Sequence, residues 1–115
     1  LDPFYTETVY RIIEDITAQG VTVITATHDV NYAYRWADEV ILFDEGRILC
    51  QDKPVRLFSD DRLLTKVHLA PPMLLTLFQQ LKSEGLIKEN APAPRSIQEL
   101  NRCLAPAVSQ NAPEA

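Results

Sequence analysis

The chain has 115 residues, 46% hydrophobic and 23% charged, the balance of an ordinary globular chain with apolar side chains for one modest core. Sixteen acidic residues against eleven basic ones leave a net charge of −5, which repels a polyanion and argues against nucleic acid as a partner. No apolar run approaches the ~18 residues that cross a bilayer, and no basic start leads into an apolar stretch as in a signal peptide, so a soluble, cytoplasmic chain is expected.

The chain starts at Leu1, followed at once by Asp2-Pro3, a helix-start signal with nothing before it to connect to; the expectation is that a piece precedes it. Asp2 can cap and Pro3 can open a helix in which Tyr5, Val9, Ile12, Ile13 and Ile16 recur at spacings of three and four until Gly20, predicting an amphipathic helix over about residues 3 to 19. Val21 to Thr27 is β-branched nearly throughout and lacks alternation, the pattern of a strand buried on both faces; helix followed by buried strand argues for a parallel sheet. The strand ends in His28-Asp29, where Asp29 can cap a short helix with Val30, Ala33, Tyr34 and Ala37 on one side.

Val40 to Phe43 and Arg47 to Cys50 are two further apolar runs, and the three residues between them read as a hairpin turn with Gly46 in the left-handed position. Pro54 starts a helical turn through Phe58, and Ser59 is placed to cap another through about Val67. Pro71-Pro72 then leads into a stripe of Leu74, Leu77, Phe78 and Leu81 that stops at Gly85. From about Lys88 the texture turns to Ala, Pro, Ser, Gln and Asn, predicting a mostly mobile tail relieved by a weak helix after Ser96. Cys50 and Cys103 are far apart with no C-x-x-C pair, and both are expected as reduced thiols. Asp44-Glu45 and Asp60-Asp61 read as turn and cap residues rather than cation ligands, His68 as a surface residue and Trp36 as core beside the sheet.

His28 is the histidine at the C-terminal end of a predicted buried strand, where ligands gather in open α/β sheets. On its own a histidine there is more often a satisfied structural residue; its setting decides. Leu1-Asp2-Pro3 opening a helix, Thr25-Ala26-Thr27-His28-Asp29 ending a strand, and Ala37-Asp38-Glu39-Val40-Ile41 through Asp44-Glu45-Gly46-Arg47-Ile48 together resemble the C-terminal half of the ATP-binding subunit of ABC transporters. The continuation through Pro71-Pro72 is similar to the cobalt and energy-coupling-factor type.

The resemblance implies the C-terminal part of a P-loop NTPase-type parallel sheet, ordered helix-strand-helix-strand-strand, then a helical region and a mobile tail. The division is 1–52 for the end of the ATP-binding domain, 53–87 for a helical extension and 88–115 for the tail. It implies that Leu1, Asp2 and Pro3 form the D-loop between two ATP-binding subunits, and that His28 is the catalytic switch histidine facing the γ-phosphate. ATP and Mg²⁺ are the implied cofactors. A second ATP-binding subunit and a transmembrane transporter subunit are the implied partners, at the cytoplasmic face of the membrane, with cobalt or another transition-metal ion as transported substrate.

The chain has no G-x-x-x-x-G-K-[ST] and three glycines in all, so it cannot build a phosphate cradle and should not hydrolyse ATP alone. Two other readings compete. One is an HD-type metal-dependent phosphohydrolase, named for an adjacent His-Asp pair; the other is a non-catalytic α/β module docking through the Leu74 to Leu81 face.

Overall fold

A computed structural model describes residues 3–104. The first helix, α1 (Pro3–Ala18), opens on a proline whose missing N–H costs nothing in a first turn and ends before Gly20, at φ +91°. Its apolar stripe is present, but none of its residues is buried: Tyr5 is 61% and Ile12 52% exposed.

Residues 21–27 form neither strand nor helix. Their β-branched side chains favour an extended backbone, but a strand exists only where a neighbour shares the ladder, and among the described residues none runs alongside. The parallel sheet expected from the sequence is therefore not found. The sheet observed has two antiparallel strands, β1 (Val40–Asp44) and β2 (Arg47–Asp52).

The hairpin is tighter than expected, because Asp44 pairs with Arg47 and only Glu45 and Gly46 remain in the loop. Both have positive φ, 50° and 76°, the backbone of a two-residue turn whose twist matches the strands. The register shifts between Leu42, opposite Cys50, and Phe43, opposite Ile48, leaving Leu49 as a bulge.

Between α1 and the hairpin lies α2 (Val30–Trp36); after it come α3 (Pro54–Phe58), α4 (Asp61–Lys66), α5 (Met73–Ser83) and α6 (Ile97–Cys103). Asp60, not Ser59, caps α4, its carboxylate accepting from the Leu63 N–H at 3.1 Å; Ser59 closes α3 instead. Both α4 and α5 end in the same motif: Leu69 N–H donates to Leu64 C=O and Leu86 N–H to Leu81 C=O, across His68 (φ 59°) and Gly85 (φ 77°) respectively.

One apolar core runs from α2 to α6, with Tyr34, Leu57, Leu64, Leu75 and Phe78 at its centre. Leu57, Leu64 and Leu75 are at most 2% exposed, each such burial contributing about 1.5–3 kcal/mol. In α5 the buried positions are Leu75 and Phe78, while Leu77 is 44% exposed, so the face is rotated from the expected stripe and its remaining members Leu74 and Leu81 pack into the core. Of the Leu74 to Leu81 stripe, Leu74, Phe78 and Leu81 are thus engaged within the chain, while Leu77 is left open.

The stretch from Lys88 also departs from expectation. Pro94, Leu100 and Cys103 are buried, Lys88 N–H donates to Cys103 C=O at 3.2 Å, and Ser96 caps α6 by accepting from Glu99 N–H at 3.1 Å. Low aromatic content and prolines predict mobility only where nothing apolar can be reached; here Leu100 and Cys103 reach the core. The tail beyond residue 104 lies outside the described residues. Both cysteines are free thiols.

Candidate functional site

The elements around His28 start from a local hydrogen-bonded turn. Asp29 N–H donates to Thr27 Oγ1 at 3.0 Å, and Asp29 Oδ1 accepts from Tyr32 N–H at 3.1 Å, so the residues on both sides of His28 are tied to each other and to the first turn of α2. Asp29 is the helix cap that its residue type and place suggested. His28 itself is exposed. The turn presents an imidazole to solvent, and a neutral imidazole donates a hydrogen bond at one ring nitrogen and accepts one at the other.

On its other flank α2 meets α1 through Tyr10 and Tyr32, whose rings stack with centroids 3.2 Å apart and planes 16° from parallel. Partial desolvation, and then the nearby Asp29 charge, raises the Tyr10 phenol above its ordinary range. Burial also raises Tyr32, with the charges of Tyr10 and Glu14 adding to it.

The C-terminal end of α2 is held by groups that the sequence did not single out. Arg95 Nε donates to Tyr34 C=O at 2.9 Å and its Nη2 to Ala37 C=O, satisfying carbonyls that a helix end leaves open. The Tyr34 O–H donates to Pro94 C=O at 2.6 Å. At the opposite end, Asn31 Oδ1 accepts from Met73 N–H at 2.7 Å and so caps α5, whose own N-cap Pro72 has no side chain to do it. These links join residues 42 to 61 positions apart in the chain, which no local pattern could announce.

A cleft of about 420 Å³ lies beside the C-terminal end of α2, lined by Asp38, Lys53, Pro54, Val55, Arg56 and Arg95. His28 does not line it. Trp36, expected in the core, is 39% exposed and lies under the Arg35 guanidinium, 5.4 Å from its ring; the core aromatics of α2 are Tyr32 and Tyr34. Pro3 is the exposed first residue of α1, while Leu1 and Asp2 lie outside the described residues. Among the described residues no group of three or more His, Cys, Asp and Glu gathers as a metal site, and the further metal-ligating residues that a phosphohydrolase would need are not assembled around His28.

No protein-family model matches the chain. Individual relatives do. Over 104 residues, 90% of this chain, it is 39% identical to the energy-coupling factor transporter ATP-binding protein EcfA2 of Methanospirillum hungatei, covering 26% of that protein. It is 32% identical over 92% of its length to a putative ABC transporter ATP-binding protein of Methanosarcina mazei, covering 23% of it. It is 33% identical over 84% of its length to the energy-coupling factor transporter ATP-binding protein EcfA of Carboxydothermus hydrogenoformans, covering 36% of it. The chain thus spans about a quarter to a third of the length of these relatives. A chain matched nearly end to end by them, carrying an exposed histidine on a capped turn before a short helix, is homologous to the ATP-binding proteins of ABC transporters, those of energy-coupling factor transporters among them.

Proposed function

We propose that these residues work as part of the ATP-binding subunit of an ABC-type importer, in which ATP binding and hydrolysis drive transport. The observation that carries the reading is the Thr27-His28-Asp29 turn, which leaves His28 open to solvent and fixed to α2 in a chain with 39% identity to an energy-coupling factor ATP-binding protein. A neutral imidazole there would donate a hydrogen bond to a γ-phosphate oxygen while its second nitrogen accepts from the attacking water, favouring the charge that shifts in phosphoryl transfer. Leu1, Asp2 and Pro3 would form the loop that reaches the second ATP-binding subunit.

On this reading the gripping of ATP and Mg²⁺ falls to other parts of the subunit, which is in keeping with the lack of a glycine-rich phosphate loop in these 115 residues. On this reading residues 1–52 close the nucleotide-binding domain and 53–87 form a helical extension. The exposed apolar stripe of α1, with Tyr5 and Ile12 more than half open, supports further packing partners there. The subunit would act at the cytoplasmic face of the membrane against a transmembrane partner. Cobalt or another transition-metal ion is the proposed cargo, supported by the resemblance of the Pro71-Pro72 region.

The test is hydrolysis by the purified whole subunit: ATP turnover that requires Mg²⁺ is expected, with none from residues 1–115 alone. A whole subunit that neither binds nor hydrolyses ATP, or a 115-residue chain that hydrolyses it unaided, contradicts the reading.

A further inference from the structure

We infer that the C-terminal region of the chain acts as a clamp on α2 that sets the position of His28, with Arg95 and Asn31 as its positioning residues; the inference rests on the catalytic reading of His28 above. The links are continuous. His28 is held to α2 because its two neighbours are bonded to each other and Asp29 caps the helix. The helix has seven residues, and a helix so short has little stability of its own, so its placement is set by what grips it.

The grip comes from the C-terminal side. Arg95 forks across two carbonyls at one end of α2, Pro94 accepts the buried Tyr34 hydroxyl from its middle, and Asn31 near the other end caps α5. Arg95 is itself fixed, since its backbone N–H donates to Glu99 Oε1 at 3.1 Å in the first turn of α6. A guanidinium is the group suited to this task, because its planar fork reaches two acceptors at once where an ammonium is a single point charge. A shift of α5 or of the 94–96 segment therefore moves α2, and the His28 turn moves with it.

The experiment is a set of variants in the whole subunit. Arg95→Ala is expected to lower turnover about tenfold, with KM for ATP changed by less than about twofold, as befits a misplaced catalytic group rather than lost binding. Arg95→Lys should restore only part of the loss. Amides of residues 29–37 should exchange faster in Arg95→Ala. In a His28→Ala background Arg95→Ala should cost nothing further, because a residue acting through His28 has nothing left to position; a purely structural role would subtract again. Asn31→Ala, whose exposed side chain is not part of the core, is expected to act in the same direction and decides the matter if Arg95→Ala does not fold. Normal turnover in both variants beside an inactive His28→Ala overturns the clamp alone, as does an additive loss in the double variant. Normal turnover in His28→Ala overturns the catalytic reading and the clamp with it.

Discussion

The hydroxyl of Tyr34 donates a 2.6 Å hydrogen bond to the carbonyl of Pro94, sixty positions further along the chain, and both residues are buried. Tyr34 is fully buried, so its one polar atom has to find a partner inside the protein, and the Pro94 carbonyl needs the same. Removing the hydroxyl in Tyr34→Phe leaves that carbonyl without its donor and is expected to cost about 1–3 kcal/mol. Urea unfolding followed by the fluorescence of Trp36, at the end of the same helix, measures it; an unchanged midpoint contradicts the role of the bond.

The same phenol gives the fold an alkaline limit. Burial pushes the Tyr34 pKa up from 10.0 to about 12, with the Arg95 charge lowering it and the Glu99 charge raising it. A group that holds its proton more tightly when folded contributes stability that is complete below its unfolded pKa and is lost as pH climbs through the folded one. Stability is therefore expected to fall between about pH 10 and pH 12, and Tyr34→Phe should flatten that fall. The same decline in both proteins would assign it to other groups.

His68 occupies the left-handed position that glycine fills at the end of α5, with φ 59° against 77° at Gly85. Its side chain is exposed, so nothing in the core depends on it. His68→Gly should relieve a left-handed backbone that costs an L-residue about 1–2 kcal/mol, against about 0.5–1 kcal/mol of entropy that glycine adds to the unfolded state, for a small net gain in stability. A lower urea midpoint would mean that the imidazole makes a contribution beyond the turn.

Two leucines on α5 two positions apart should respond in opposite ways. Leu75 is 2% exposed and Leu77 is 44% exposed. Leu75→Ala is expected to cost about 2–5 kcal/mol through the transfer and cavity terms, and Leu77→Ala less than about 1 kcal/mol. Equal losses on chemical unfolding would show that the face is assigned wrongly.

What the sequence made legible was local. The cap at Asp29, the proline starts of α1 and α3, the stop at Gly20 and the hairpin at Gly46 all follow from chemistry within a few residues, and each is present. The parallel sheet is not seen among the described residues because Val21 to Thr27 carries strand propensity, while a strand needs a partner that these residues do not supply. The α5 stripe includes Leu77 by sequence because Leu74, Leu77, Phe78 and Leu81 also satisfy helical spacing; only packing shows that Leu75 is the inward one. The candidate site divides in the same way. His28 is singled out by its motif alone, whereas Arg95, Asn31 and the Tyr34 to Pro94 bond depend on contacts across the chain that no window of sequence contains.

On the proposed function the His28 imidazole meets the terminal phosphate during turnover. The most direct measurement is single-turnover ATP hydrolysis by the whole subunit carrying His28→Ala, read beside nucleotide binding to the same protein. The expected result is binding within about threefold of the unaltered subunit and a rate of phosphate release lower by at least about a hundredfold. Hydrolysis at the unaltered rate with normal binding would remove His28 from the chemistry and contradict the account.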